Sequence, residues 1–163
     1  MNKKHLVATL ILISMVFITF AWADDDPETA KLKALCKEGN STNIKSTDSS
    51  YACFKLGEKY RVIYQDNKIA LEFYKKACDG DYMTACTNGG NLQYLKGTQH
   101  GADWKAAKKM YQKSCDAGED PACFNLGSIN YREGRQKKAI KFYSQACKMG
   151  NKPGCAKEIR LKR

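Results

Sequence analysis

The stretch CDAGEDPAC, residues 115–123, places two cysteines with seven residues between them around a glycine. The same C-x7-C spacing recurs at Cys78–Cys86 (CDGDYMTAC) and at Cys147–Cys155 (CKMGNKPGC). Self-similarity at a regular interval is the sequence signature of repeat architectures. The three matched pairs therefore indicate a repeated structural unit.

The N-terminal segment predicts the compartment in which these thiols mature. Lys3 and Lys4 precede an apolar run from Leu6 to Phe20, and the A-x-A sequence 21–23 precedes three aspartates. This is the pattern of a signal peptide. The run is shorter than the roughly 20 apolar residues that span a bilayer. We therefore expect a cleaved signal peptide over residues 1–23 and a secreted or periplasmic protein with no membrane span.

The cysteine count favours disulfides over a metal. Residues 24–163 hold all 8 cysteines and a single histidine, His100. An even number of cysteines in a small exported chain is typical of a disulfide framework. Zinc sites usually have two to four residues between paired ligands, and here there are seven. We expect no metal and no cofactor.

Basic residues are concentrated at the C-terminal end. The formal net charge is +11, and residues 132–163 carry 11 lysines and arginines against Glu133 and Glu158. Two interpretations remain open: a solubilising charged end, or attraction to an anionic partner such as a membrane surface, an acidic glycan or an acidic protein. Nucleic acid is not expected as a partner outside the cytoplasm.

The cysteines belong to a longer repeat. Aligning the second cysteine of each pair gives ACFKLG at Ala52, ACTNGG at Ala85, ACFNLG at Ala122 and GCAKEI at Gly154. The intervals between these cysteines are 33, 37 and 32 residues. Periods of this size predict a stack of helical hairpins.

Each unit contains two helical patterns. In the second helix, Ala70, Phe73, Tyr74 and Ala77 fall at i, i+3, i+4 and i+7, which predicts a stripe facing the core. The first helices contain glycines at 57, 90 and 127. Because a helical glycine costs roughly 1 kcal/mol relative to alanine, we expect these glycines to allow a close approach between helices.

The repeat resembles the Sel-one-like repeat, a relative of the tetratricopeptide repeat. The residues of the first unit that match its pattern are Ala52, Leu56, Gly57, Tyr60, Asp66, Ala70, Tyr74, Lys76 and Ala77. With the added cysteines, residues 30–158 are similar to the Hcp family of cysteine-rich repeat proteins, many of which are described as β-lactamases. The resemblance implies an all-α fold, a disulfide-stapled α/α solenoid of Sel1-like, TPR-like hairpins.

The sequence departs from the pattern at three positions, one in each unit. Gly89 stands where leucine is expected, Asn130 where tyrosine is expected, and Asp81 where the glycine after the cysteine is expected. The second unit also carries about four extra residues around His100, so its loop is expected to protrude.

These alignments predict the organisation of the chain. After the signal peptide we expect a capping helix (27–39) and a loop (STNIKSTDSS) within residues 24–51. The helical units are expected at residues 52–84, 85–121 and 122–153, followed by a partial repeat with a basic tail at 154–163.

The cysteine pairs are expected to join adjacent repeats. Each C-x7-C would connect the end of a second helix with the start of the next first helix, where a short turn brings sulfurs within bonding distance. The remaining cysteines are Cys36 and Cys53. The predicted bonds are Cys36–Cys53, Cys78–Cys86, Cys115–Cys123 and Cys147–Cys155.

The sequence contains no catalytic constellation that explains an enzyme. No serine is followed three residues later by lysine, and neither K-T-G nor S-D-N occurs, so the serine β-lactamase motifs are missing. The Hcp resemblance implies penicillin binding and slow β-lactam hydrolysis, and no residue here accounts for that chemistry.

A helical solenoid offers a groove lined by its first helices, and such a groove usually binds a ligand. Residues 55, 88, 125 and 157 share one register two positions after the second cysteine, and their amides and ammonium groups could bind an extended peptide. Tyr94, Ser128 and Arg132 lie near that face. An ordinary solvated helix face is the other interpretation. The candidate ligand-binding residues are Lys55, Asn88, Asn91, Asn125, Tyr131 and Lys157.

The function expected from this pattern is binding of a peptide, a protein or a peptidoglycan-related cell-wall fragment by a monomer. The alternative is a β-lactam-binding protein or weak β-lactamase of the Hcp type.

Overall fold

The computed structural model describes residues 26–37, 46–100 and 104–163. Within these ranges the chain forms only α-helices, so the all-α prediction is confirmed. The signal-peptide prediction and part of the loop beside His100 lie outside the described residues. The helices are α1 (Pro27–Lys37), α2 (Ser46–Val62), α3 (Asn67–Asp79), α4 (Met83–Gln99), α5 (Lys105–Asp116), α6 (Asp120–Arg132), α7 (Gln136–Lys148) and α8 (Lys152–Lys162).

The chain divides into two compact units, residues 1–31 and 32–163. The described part of the first unit contains the start of α1. There the Asp26 carboxylate accepts hydrogen bonds from the backbone N–H of Thr29 at 3.1 Å and from its hydroxyl at 2.8 Å. These bonds cap the helix N-terminus, where the first N–H groups have no partner within the helix.

The second unit is a stack of helical hairpins, α2 with α3, α4 with α5 and α6 with α7, followed by the single helix α8. The second helix of every hairpin buries an alanine and, four residues later, a tyrosine: Ala70 and Tyr74, Ala107 and Tyr111, Ala139 and Tyr143. The predicted apolar stripe therefore forms the core between the helices.

Disulfides join successive hairpins. The structure contains the pairs Cys36–Cys53, Cys78–Cys86, Cys115–Cys123 and Cys147–Cys155, with Cα–Cα distances of 4.9, 4.7, 4.8 and 4.6 Å. These are the pairs expected from the sequence. The first bond joins α1 to α2, and the last three each join the end of a hairpin to the helix that follows it. All eight cysteines are therefore used as staples.

The predicted loop 41–50 is partly wrong, because α2 already begins at Ser46. The added helical turn is tied to the following repeat, since the Ser50 hydroxyl donates to the carbonyl of Gly80 at 2.8 Å. Because α2 begins before Ala52, its N-terminal turns can contact a residue that lies 30 positions further along the chain.

The departures from the repeat pattern have local explanations. Asp81 adopts φ +63°, as Gly118 does at +98° in the next repeat, and its carboxylate pairs with Lys113 at 2.9 Å. Aspartate tolerates this left-handed conformation better than most residues. Gly89 leaves room for the Met110 side chain, because a Cβ there would lie 2.3 Å from Met110 Cε.

Within the described ranges, every helix is too short or too polar to span a lipid bilayer.

Candidate binding groove

A groove of about 570 Å³ lies along the first helices of the second and third hairpins. Its walls come from α4, α6 and α8, and two tyrosines reach it from α5 and α7. The lining residues are Asn91, Tyr94, Leu95, Tyr111, Phe124, Asn125, Ser128, Tyr131, Arg132, Tyr143 and Lys157.

Buried tyrosines supply polar groups to the floor of the groove. The Tyr111 hydroxyl donates to Asn91 Oδ1 at 2.6 Å, and Tyr143 donates to Ser128 Oγ at 3.2 Å. Burial raises the pKa of Tyr111 above its ordinary value of 10.0. Its hydroxyl therefore remains protonated and donates its hydrogen bond at neutral pH.

Amide side chains connect successive first helices. Asn125 Nδ2 donates to Asn91 Oδ1 at 3.1 Å, and Asn88 Nδ2 donates to Glu58 Oε1 at 2.8 Å. In both cases the residue two positions after the second cysteine of a pair contacts the residue five positions after the corresponding cysteine of the preceding repeat. The repeat in the sequence is thus also a repeat in the hydrogen bonding.

The Asn91 carbonyl oxygen accepts two of these bonds, one from Tyr111 and one from Asn125. Because an asparagine amide has two N–H donors besides this oxygen, the nitrogen of Asn91 is available to a ligand on the exposed face of α4. An exposed amide above buried tyrosines is a polar contact point on an otherwise largely aromatic surface.

The electrostatics of the groove are positive. Arg132 and Lys157 line it, and none of its lining residues is acidic. The Arg132 guanidinium lies 5.9 Å from the centre of the Tyr94 ring, and that ring stacks on Trp104 with 5.6 Å between centroids. A cation held over an aromatic face keeps its charge available to an anionic ligand.

Beside the first hairpin, side chains of α2, α3 and α4 fill the corresponding space. Glu58 accepts hydrogen bonds from Tyr74, Asn88 and Arg61, the last at 2.8 Å. Partial burial acts to raise the pKa of Glu58, but the bonds from Arg61, Tyr74 and Asn88 together hold it below its ordinary value of 4.5. This closed polar cluster explains why the groove opens over the second and third hairpins.

Four of the six predicted ligand-binding residues line the groove, namely Asn91, Asn125, Tyr131 and Lys157. The structure does not place the other two there. Asn88 is bonded to Glu58, and Lys55 is exposed on α2 outside the groove. From the sequence, the tyrosines of the second helices were predicted to lie in the core, and the contribution of Tyr111 and Tyr143 to the groove was missed. Each of these tyrosines follows an alanine by four residues, and this regular spacing could have indicated that their hydroxyls point to the same surface.

The described residues contain no group of three or more histidine, cysteine, aspartate or glutamate side chains placed to hold a metal ion. The chemistry that the groove itself offers is hydrogen bonding, aromatic contact and positive charge.

Helical hairpins that stack at a regular interval and carry a groove on their first helices define a helical-repeat protein. The model of the Sel1 repeat matches residues 50–82, 88–119 and 120–151, which together make up more than half of the chain. The chain therefore belongs to the Sel1 repeat family.

A solved structure, a Sel1 repeat protein from Oxalobacter formigenes, is similar to this fold with a TM-score of 0.57. It shares 21% sequence identity over 82% of this chain, which spans 59% of that protein's length. At this identity the likeness concerns the fold alone. No curated protein matches the chain, and the narrower resemblance to the Hcp family finds no support in these comparisons.

Proposed function

We propose that this Sel1 repeat protein is an exported scaffold whose groove binds an extended segment of a partner protein. The observation that supports it best is the groove between Asn91 and Lys157, which combines exposed amides, aromatic rings and two cations. Helical-repeat proteins use such surfaces for extended ligands.

The groove chemistry favours a particular kind of segment. Amide groups suit the backbone of an extended chain, and the rings of Tyr131 and Phe124 suit its apolar side chains. Arg132 and Lys157 favour carboxylates, from acidic side chains or a free C-terminus. An acidic, extended peptide is thus the proposed ligand.

The disulfides support export. Disulfides persist in oxidising compartments and are rare in the cytosol, and here they join every hairpin to its neighbour. Together with the signal-peptide pattern, they favour a secreted or periplasmic scaffold. The β-lactam alternative gains no such support, since the hydroxyl of the groove serine, Ser128, donates to the carbonyl of Phe124 at 3.1 Å and accepts from Tyr143 at 3.2 Å.

The test uses random peptides displayed on phage and panned against the immobilised, oxidised chain. We expect enrichment of acidic sequences, and about tenfold or greater loss of affinity for the best peptide with Lys157→Gln, because a charge-assisted hydrogen bond contributes roughly 1.5–3 kcal/mol.

Lys75→Gln is the matched control, because Lys75 is exposed on α3 and lies outside the groove. Enrichment of peptides whose binding is unchanged by Lys157→Gln and by Asn125→Ala would refute the proposed site.

A further inference from the structure

The hairpins give the stack two different edges. Each disulfide joins the end of a second helix to a first helix, so these junctions lie on one side, and the first helices end on the other. We name the junction side the disulfide edge and the side on which first helices end the loop edge. The disulfide edge comprises residues 36–37, 46–53, 75–86, 112–123 and 145–155; the loop edge comprises 58–69, 93–100, 104–108, 130–141 and 158–163.

Side-chain contacts show that the loop edge is continuous across the later repeats. Lys108 Nζ donates to Glu133 Oε1 at 2.7 Å, which connects α5 with the loop after α6. Gln136 Nε2 donates to the carbonyl of Leu161 at 3.2 Å, which connects the start of α7 with the end of α8. The C-terminal basic residues therefore belong to this edge.

The charges are segregated between the edges. The loop edge as defined holds 14 lysines and arginines against 4 aspartates and glutamates, whereas the disulfide edge holds 6 of each. The basic residues near the C-terminus thus belong to a positively charged edge that begins, along the chain, at Lys59 and Arg61.

The acidic residues of the loop edge are engaged within it. Glu58 pairs with Arg61, Glu133 with Lys108 and Glu158 with Lys162, at 2.8, 2.7 and 2.6 Å. Asp66 caps α3 by accepting from the backbone N–H groups of Lys68 and Ile69 at 3.0 and 2.9 Å. Lys137, Lys138 and Arg160 are exposed and give the edge a positive field.

The same edge carries the most exposed apolar cluster of the first hairpin. Val62, Ile63 and Tyr64 are consecutive and are 56%, 64% and 47% exposed. The third hairpin has Glu133 and Gly134 in the corresponding turn. Three exposed apolar residues at a loop tip on an otherwise basic edge are not explained by the helical core.

A shallow depression of about 550 Å³ on this edge lies between Gly134 and Ile140 and is lined by Arg135, Lys137 and Lys138. The Arg135 guanidinium is paired with Glu133 and donates to Asn130 Oδ1 at 3.0 Å. Lys137 and Lys138, both exposed, are therefore the cations that suit a phosphate-bearing headgroup.

We propose that the loop edge binds the surface of a bilayer containing anionic phospholipids, with Ile63 and its neighbours inserted at the headgroup level. Basic residues near such a surface each add about 1 kcal/mol of attraction, and tyrosine with aliphatic residues favours the interface. Charges spread over all hairpins fit an extended planar anion better than an acidic protein segment, whose charges are localised. The loop edge shares Tyr94, Leu95, Tyr131 and Arg132 with the groove, whereas the residues varied below, Ile63, Lys137, Lys138 and Arg160, do not line the groove.

The test is flotation with vesicles of phosphatidylcholine alone or with about 30% phosphatidylglycerol. The full chain is expressed in an exporting bacterium, and all variants are purified in the same way, so that they share one N-terminus. We expect binding only to the anionic vesicles, and loss of binding between about 0.1 and 0.5 M salt.

Lys137→Gln/Lys138→Gln/Arg160→Gln is expected to weaken vesicle binding at least about tenfold, and Ile63→Ser to weaken it further. Lys75→Gln/Lys148→Gln/Lys152→Gln and Met149→Ser are the matched controls on exposed positions outside the loop edge. Circular dichroism verifies that every variant is folded.

Equal binding to neutral and anionic vesicles, or equal loss in the test and control triples, would overturn the proposal. So would binding to soluble polyglutamate without binding to anionic vesicles, which would assign the edge to an acidic protein. Lys157→Gln in the groove is expected to leave vesicle binding within about twofold, which separates this inference from the peptide-binding proposal.

Discussion

A glycine facing a tyrosine recurs in all three hairpins. A Cβ atom added at Gly57, Gly90 or Gly127 would lie 2.6–2.7 Å from the ring of Tyr74, Tyr111 or Tyr143, respectively. The first helix accepts the cost of a glycine because only a residue without a side chain lets the tyrosine ring lie against its backbone. That position in turn directs the hydroxyl of each ring beyond the core, toward residue 58, 91 or 128.

Gly127→Ala tests this contact. Alanine improves the helix propensity of α6 by roughly 1 kcal/mol, but its Cβ would clash with the Tyr143 ring, and overpacking of a core usually costs about 1–3 kcal/mol. We expect a net loss of unfolding free energy in urea titrations with intact disulfides. Thr84→Ala, at an exposed position of α4, is the control for helix propensity. A Gly127→Ala variant as stable as the wild type would contradict the packing argument.

Glu58 makes stability depend on pH. Its pKa is below 4.5 in the folded chain, so its stabilising contribution is complete above that value and is lost as the pH falls through the folded-state pKa. We expect Glu58→Gln to destabilise the protein at about pH 7 and the difference from the wild type to shrink by about pH 3, measured by urea unfolding. Glu72→Gln on the exposed side of α3 is the matched substitution. A difference that is the same at both pH values would be evidence against the role of the carboxylate.

The disulfides act between helices, and their loop lengths predict their relative importance. Cys78–Cys86 has a sequence separation of 8 residues, and Cys36–Cys53 has one of 17. By the loop-entropy model, replacing the first pair with alanines costs about 2.5 kcal/mol and replacing the second about 3 kcal/mol.

The two double variants are compared by thermal unfolding under non-reducing conditions. A Cys36→Ala/Cys53→Ala variant as stable as the wild type would show that α1 adds nothing to the folding of α2.

Local spacing explains how much of these elements could be predicted from the sequence. C-x7-C and the alanine–tyrosine stripe are short-range patterns, and they predicted the helical hairpins and the staples. The start of α2 could not be predicted in this way. Its first turn depends on Ser50 contacting Gly80 in the next repeat, and the serine-rich segment is typical of a loop when its partner is not known.

The groove was predictable only in part for the same reason. Register alone placed Asn88 and Asn125 on one face, and both do contact the preceding first helix. However, Asn125 meets a second asparagine, Asn91, whereas Asn88 meets Glu58, which also accepts bonds from Tyr74 and Arg61. The residue that each asparagine contacts in the preceding repeat, Asn91 or Glu58, therefore decides whether that part of the surface is an open groove or a closed polar cluster.

At the scale of the whole molecule, residues 32–163 present two adjoining surfaces of different chemistry, which share Tyr94, Leu95, Tyr131 and Arg132. The groove face is aromatic with two cations, and the loop edge is basic with an apolar tip. In α8, Ile159 stands four residues after Cys155, the register that glycine occupies in the three first helices. The basic residues of α8, such as Arg160, lie on the loop edge.

Reduction is expected to remove most of the stability of this stack. Four bridges of about 2–3 kcal/mol each are comparable with the 5–15 kcal/mol net stability of an ordinary domain. We expect the reduced and alkylated chain to lose most of its helical circular dichroism at temperatures where the oxidised chain remains folded. The oxidised chain treated with the alkylating reagent alone is the control, because it has no free thiol to react.

If the reduced chain unfolded at the same temperature as this control, helix packing alone would hold the repeats together, and the staples would have no stabilising role. Loss of helical structure only upon reduction would show that the short loops closed by the C-x7-C pairs compensate for a core made largely of alanine and single tyrosines.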